Sequence, residues 1–287
     1  MVSFRSAALS FIVLAGTTSI SSAFSVLPHQ HVLAPTRTTS LRMGWGPDPV
    51  WSDSKIEGFE CANLSKDCSK VTVSIDPKTA KEYLIPGQYV QVRANEDTKP
   101  LFLAITSPPE PANANFDFLI KITDDNTWIS EQQSTAATVQ VSQVLGGGFP
   151  IQKELASLTD VTNVLLFAAG SGIAPIAAAI ESGDLQTSDS TRMGRLYYGV
   201  RTESDLCFVD QFPAWKKAGI EVVPVVSQPS DSWKGKSGYV QNALEEDGVT
   251  DPKSTGALLC GMKEMAVAVT EVLTKAGVVE GRVLTNF

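Results

Sequence analysis

Two glycines one residue apart, Gly170 and Gly172, stand directly after the apolar run Asn163 to Ala169 (NVLLFAA). A Gly-Ser-Gly turn through Ser171 lets the backbone come close enough for its amides to meet a pyrophosphate, at the start of a helix whose dipole favours an anion. Turns of this kind also serve as plain tight connections, so the spacing alone leaves both readings open. A second cluster, Cys260-Gly261-Met262, ends the apolar run Ala257 to Cys260. The C-terminal ends of strands are where open α/β sheets bind ligands, although a small thiol is also a residue that a strand simply buries.

These clusters need strands and helices to hold them. Pro175 suits a first helical position and Gly183 the position past a last one, so the spacing predicts a helix over Ile176 to Ser182. Short β-rich runs follow at Arg195 to Val200, Ile220 to Val226, Ala257 to Cys260 and Arg282 to Phe287, with helical spacing or helix formers between them at Phe208–Ala218, Tyr239–Asp247 and Lys263–Ala276. Strand alternating with helix predicts a doubly wound α/β parallel sheet over 158–287. Met262, Met265, Val269, Val272, Leu273 and Ala276 share one face of the last helix, and Gly277 stands at its end.

Before this region the pattern differs. Between residues 50 and 150 short alternating runs recur at Lys70–Ile75, Tyr89–Val92, Leu101–Ile105, Phe116–Ile122 and Thr138–Val144, separated by turn signals such as Pro86-Gly87 and Pro108-Pro109-Glu110-Pro111. Such runs with little helical spacing predict an antiparallel β-barrel. The boundary is expected after Gly146-Gly147-Gly148-Phe149-Pro150, whose glycines also suit a flexible join.

The first acidic residue is Asp48, and the 47 residues before it carry Arg5, Arg37, Arg42 and both histidines. Arg5, the apolar stretch Ala7 to Ala15 and the small residues Ser21-Ser22-Ala23 have the three parts of a signal peptide over 1–23, and a Ser/Thr/Arg-rich stretch over 24–43 resembles a plastid transit peptide. A two-part presequence of this form addresses the plastid of algae with secondary plastids; an ordinary secreted protein is the alternative. Without the first 43 residues the chain has 20 basic against 31 acidic residues, a net charge of −11. That balance argues against nucleic acid and against an anionic membrane as partners, and makes an acidic ferredoxin a doubtful one.

Loss of both histidines removes Ser-His-Asp and Cys-His hydrolase chemistry and leaves cofactor chemistry in place. Cys61, Cys68, Cys207 and Cys260 lack Cys-x-x-Cys spacing, so no zinc or iron–sulfur site is expected. Free thiols are expected, with a Cys61–Cys68 disulfide as the alternative.

A barrel followed by a dinucleotide sheet resembles the ferredoxin-NADP reductase-like superfamily of flavin oxidoreductases. The resemblance rests on Pro86 to Val90, Gly146 to Pro150, Gly170 to Pro175, Tyr197 to Arg201, Trp233-Lys234-Gly235 with Gly238-Tyr239-Val240, and Cys260 to Met262 with Met265. The chain is similar to plant and algal plastid members and, more distantly, to electron-transfer subunits of dihydroorotate dehydrogenases. The resemblance implies FAD on the barrel, NADP or NAD on the sheet, and hydride transfer between them, with electrons passing to an acceptor that the sequence does not identify. It implies that Gly170, Ser171, Gly172 and Pro175 meet the nucleotide pyrophosphate, and that Cys260, Gly261 and Met262 flank the nicotinamide. Gly199, Arg201 and Thr202 would lie along the adenosine end. There Arg201 favours a 2′-phosphate, while Glu203 and Asp205 favour a free ribose hydroxyl. Gly148 is a flavin contact by the same resemblance, and Phe287 stands where relatives place a terminal aromatic over the flavin.

The barrel departs from the family pattern. Relatives carry Arg-x-Tyr-Ser/Thr where this chain has Pro100-Leu101-Phe102-Leu103, so the phosphate arginine and both hydroxyls are missing and Phe102 keeps the aromatic face. Lys99 offers at most a flexible point charge. Ile105, Thr106 and Ser107, together with Ser130 in the second flavin segment, are left to hold the cofactor. Weakly held, exchangeable FAD is therefore expected, and a nucleotide-binding redox sensor without flavin chemistry is the alternative.

Overall fold

A computed structural model describes residues 48–110, 112–132, 137–188 and 192–286. The expected presequence and Phe287 lie outside the described residues.

The first half is an antiparallel barrel of β1 (Trp51–Cys61), β2 (Cys68–Ser74), β3 (Tyr89–Arg93), β4 (Leu101–Ala104), β5 (Asn115–Lys121) and β6 (Thr138–Ser142), ordered β4-β3-β6-β1-β2-β5. A bridge between Ile105 and Phe118 joins the two edge strands and closes the sheet on itself. Alternation puts Val71, Val73, Val90, Val92, Phe116, Phe118, Val139 and Val141 inside. Two short helices, α1 (Pro77–Glu82) and α2 (Thr127–Glu131), lie between the strands, and the first was not expected. Asp76 caps the first, accepting from the Lys78 and Thr79 amides at 2.9 and 3.0 Å.

The second half is an all-parallel sheet of β7 (Asn163–Ala169), β8 (Met193–Val200), β9 (Ile220–Val226), β10 (Lys236–Ser237), β11 (Thr255–Cys260) and β12 (Val283–Thr285), ordered β10-β9-β8-β7-β11-β12. Leu166, Ala168, Leu196 and Tyr198 pack on the side of α3 (Ile173–Glu181) and α4 (Phe212–Lys217). Phe167, Tyr197 and Leu259 pack on the side of α5 (Val240–Asp247) and α6 (Lys263–Ala276). Both faces are covered, as the continuous apolar strands require. Gly277 closes α6 at φ +99°, and the Val278 amide donates back to the Leu273 carbonyl at 3.0 Å. Among the described residues no helix is long and apolar enough to cross a membrane.

Three local expectations are corrected. Pro175 is the third residue of α3 rather than its first, because Gly170–Gly172 forms a 3₁₀ turn that runs straight into a helix starting at Ile173 and ending at Glu181. The helix expected over Phe208–Ala218 is a 3₁₀ turn followed by the short α4, since Phe208 takes a left-handed conformation at φ +60°. The Gly146–Pro150 cluster is packed and not a loose join. A Cβ on Gly146 would lie 2.7 Å from the Tyr89 ring, one on Gly148 would lie 2.6 Å from the Pro86 carbonyl oxygen, and Phe149 is wholly buried.

Candidate functional site

The sheet order reverses between β7 and β11, whose successors in the chain, β8 and β12, lie on opposite sides of the pair. That is a topological switch point, and its crevice opens at the C-terminal ends of the two strands. Gly170–Gly172 follows β7 there, and Cys260-Gly261 ends β11. The two turns touch. A Cβ on Gly172 would stand 2.7 Å from the Cys260 carbonyl carbon, and one on Gly261 would stand 2.9 Å from the Ala169 Cβ. Gly170, at φ +54°, faces open space, and Ser171 beside it is exposed. The first two residues of the turn are thus available to a ligand, whereas Gly172 is a packing glycine.

Cys260 is half-buried, and burial pushes its thiol up to about 11 against the opposing hydrogen bond with Asn286. It is a neutral thiol at physiological pH. Asn286 donates its amide to Leu259 at 3.3 Å, and its side-chain nitrogen lies beside Gly87 of the barrel turn Pro86-Gly87. The end of β11 therefore meets the barrel through Asn286. Met262 is 61% exposed at the mouth of the crevice.

Other expected residues are placed differently. Pro175 is buried inside α3 and presents nothing to the crevice. The missing Cβ of Gly199 points at Val240, at 2.9 Å, so that glycine serves the packing of α5 on β8. Gly148 likewise serves the fold, through Pro86. Ser130 is in the body of α2, with its hydroxyl donated to the Thr127 carbonyl at 2.6 Å. Ile105 is fully buried at the barrel closure, and Ser107 is held between Tyr83, whose hydroxyl donates to its carbonyl at 2.8 Å, and the Asp117 amide, which donates to its hydroxyl at 3.2 Å.

In the turn after β8, which the resemblance assigns to the adenosine end, the acidic side chains are already engaged. The Asp205 carboxylate accepts from the amide and hydroxyl of Thr202 at 2.9 and 3.0 Å, and Glu203 accepts from the amide and hydroxyl of Ser230, both at 2.8 Å. Its own backbone amide, together with the amide and hydroxyl of Ser230, holds Glu203 below the usual carboxylate range. Arg201 is exposed and forms no ion pair among the described residues.

On the barrel, Phe102 is 67% exposed, with the Tyr89 ring 6.0 Å away at 43°. The two rings make a small aromatic surface on the barrel exterior. Strand register shows what shares its face. Gln91 pairs with Phe102 and Val92 with Leu101, so Arg93 falls opposite Pro100 on the same outer face. The Arg93 guanidinium lies 4.0 Å over the Trp51 ring, and its Nε donates to Gln140 at 2.9 Å. Its two terminal nitrogens donate to nothing among the described residues. This preorganised cation was missed in sequence, where Lys99 was the only substitute in view; Lys99 itself is exposed beyond the strand. The missed signal is a register of antiparallel partners, which no local motif carries. Thr106 Oγ1 and Trp128 Nε1 are buried without a hydrogen-bond partner among the described residues, the condition a polar ligand relieves.

The oxidoreductase NAD-binding domain family matches residues 166–271, from β7 into α6. The fruit protein pKIWI502 of Actinidia deliciosa is 32% identical over 253 residues, covering 84% of this chain and 77% of that protein. The chain belongs to the ferredoxin-NADP reductase-like superfamily of flavin oxidoreductases. Another relative in sequence is the anthranilate 1,2-dioxygenase electron transfer component of Acinetobacter baylyi, 24% identical over 202 residues, of which this chain spans 55%. The superfamily fold is also seen in a ferredoxin NADP+ reductase from Neisseria gonorrhoeae with bound FAD and NADP, at a TM-score of 0.66 and 18% identity, covering 82% of this chain and 97% of that one. Both halves of the chain, barrel and sheet, lie within that match.

Proposed function

We propose that this chain is an FAD-dependent NAD(P)H oxidoreductase of the diaphorase kind, with its two cofactors meeting between the Phe102 face of the barrel and the β7–β11 crevice. The observation that carries this reading is the outer face of β3 and β4: an exposed aromatic ring and a positioned guanidinium with free donors, on the strand pair that the superfamily uses for flavin. Orphaned polar atoms at Thr106 and Trp128 and the open Gly170 turn fit the same two ligands. FAD, when bound, supplies the two-electron acceptor for a hydride from the nicotinamide.

The residues of the chain bind and orient. Phe102 and Tyr89 provide an apolar wall for a planar ring. Arg93 takes the phosphate charge that Pro100 cannot, as a planar fork. Gly170 and Ser171 offer amides to the second pyrophosphate, and Met262 and Cys260 wall the nicotinamide end, the thiol neutral and so neither base nor nucleophile. Arg201 reads a 2′-phosphate, since Glu203 and Asp205 are engaged with Ser230 and Thr202. NADPH is therefore the proposed donor in preference to NADH. No side-chain acid or base is called for in a hydride step, in keeping with the absence of histidine after residue 47.

The proposed acceptor is not an acidic ferredoxin, given the −11 balance beyond residue 43. Residues 1–43 are proposed as a plastid address, which a fluorescent fusion of that segment tests by whether it enters the plastid or is secreted. The cofactor reading is tested by titrating the flavin-free chain with FAD, FMN and riboflavin. Binding in the order FAD, then FMN, then riboflavin supports a face with a phosphate cation, and equal affinity for all three contradicts it.

A further inference from the structure

Cys68 and Cys207 come from different halves of the molecule and share one buried core. Cys68 opens β2 of the barrel and Cys207 follows the 3₁₀ turn Glu203–Asp205 after β8. They are 7% and 2% exposed and lie in the same apolar cluster as Ile173, Ile176 and Phe208. The backbone brings them together. Ser65, in the turn before Cys68, donates its amide to the Ser204 carbonyl at 3.0 Å, and the Cys207 amide donates to the Tyr198 hydroxyl at 3.3 Å. Asp67 stiffens that barrel turn, accepting from Asn63 and Ser65 at 2.7 Å each and pairing with Lys121 at 3.1 Å. The Cys207 thiol donates to the Asp205 carbonyl at 3.7 Å, and the nearness of the two thiols pushes Cys68 up and Cys207 down. Cys61, separated from Cys68 by six residues along the chain, is exposed and donates its thiol to the Asn63 carbonyl at 3.1 Å, so the alternative pairing is not set up.

We propose that Cys68 and Cys207 are a redox modification site, a thiol pair that closes to a reversible disulfide and ties the barrel covalently to the nucleotide-binding sheet. The oxidant is a small hydroperoxide, which suits a buried thiol better than a bulky disulfide does. The Cys207 thiolate attacks the peroxide oxygen, forming a sulfenic acid and releasing hydroxide or alkoxide. Cys68 sulfur then attacks the sulfenic sulfur, and the departing hydroxide takes the Cys68 proton and leaves as water; the hydroxide or alkoxide released in the first step takes up from solvent the proton that Cys207 had given up. With hydrogen peroxide, two thiols and one peroxide give one disulfide and two waters, and a dithiol reductant reverses the change. The bond would anchor the segment that follows Arg201 and Thr202 to the barrel. The inference stands whether or not the chain binds FAD.

The test uses the full chain, treated with hydrogen peroxide, alkylated with iodoacetamide and digested without reductant for mass spectrometry. The expected result is a Cys68–Cys207 linked peptide lighter by two hydrogens than its separate parts, with Cys61 and Cys260 unlinked, and its loss on dithiothreitol treatment. A rise in the thermal unfolding midpoint on oxidation should accompany it and should vanish in Cys207→Ser. A Cys61→Ser variant, which leaves the pair intact, should form the same link and keeps the question answerable if Cys207→Ser does not fold. A Cys61–Cys68 link, or Cys68 and Cys207 recovered separately as alkylated or over-oxidised residues, would overturn the proposal.

Discussion

Gly172 and Cys260 are in direct backbone contact, so that no side-chain carbon can be added to the first without displacing the carbonyl of the second. This contact locks the turn after β7 to the end of β11 at the point where the sheet reverses direction. The geometry of the nucleotide crevice is therefore a packing fact before it is a ligand fact. Gly172→Ala should cost about 1–3 kcal/mol in stability as an overpacking change and weaken NADPH binding with it. Gly170→Ala, with open space at its Cβ, costs through its positive φ, about 1 kcal/mol. Thermal unfolding and nucleotide titration of the two variants check the contrast.

Arg93→Ala should weaken FAD binding by about 10- to 150-fold, the loss of a charged hydrogen-bonding partner worth about 1.5–3 kcal/mol. Arg93→Lys should recover only part of it, because an ammonium does not reproduce the fork. Fluorescence titration with FAD and with riboflavin checks this, and riboflavin affinity should be nearly unchanged.

How much of this was legible in sequence depends on how local the cause is. The runs 163–169 and 220–226 and the helix 263–276 were read to the residue, because their apolar patterns match the faces they bury. β1 was missed, since only Ser54 and Ile56 along it are buried and its register slips between Ile56 and Gly58, which removes the period-two signal. The Gly-x-Gly turn was legible as a turn, but the separate duties of Gly170 and Gly172 depend on Cys260, distant in sequence. Arg93 and the Cys68–Cys207 pair were invisible for the same reason: strand register creates one and domain docking the other.

Asp67 couples the barrel turn to pH. Burial pushes its carboxyl up, but hydrogen bonds from Asn63 and Ser65 and the Lys121 ammonium pull it down further, well below the usual range. A depressed carboxylate stabilises the fold above its unfolded value and loses that contribution as pH falls towards the folded one. Asp67→Asn should thus lower the unfolding midpoint at pH 7 and make progressively less difference below about pH 4.

Cys260 should resist iodoacetamide at neutral pH, with alkylation rising only as the pH approaches the raised value of about 11. Exposed Cys61 serves as the internal comparison. Saturating NADP+ should slow the Cys260 reaction further and leave Cys61 unaffected, as mapped by peptide mass spectrometry.

Glu181 presents the opposite sign. Burial raises its carboxyl despite the hydrogen bond from Trp215 Nε1 at 3.1 Å. A raised group stabilises below its unfolded value and loses that contribution as pH rises through the folded one. Glu181→Gln should therefore raise stability at pH 8 relative to pH 4, measured by denaturant unfolding at both.

The central claim is that a nicotinamide bound on the sheet delivers hydride to a flavin bound on the barrel. Anaerobic mixing of the FAD-loaded chain with NADPH measures it directly. The visible absorption of oxidised flavin should bleach within the mixing experiment, faster with NADPH than with NADH, and Arg201→Ala should narrow the difference. Flavin that stays oxidised while NADPH is demonstrably bound would contradict it.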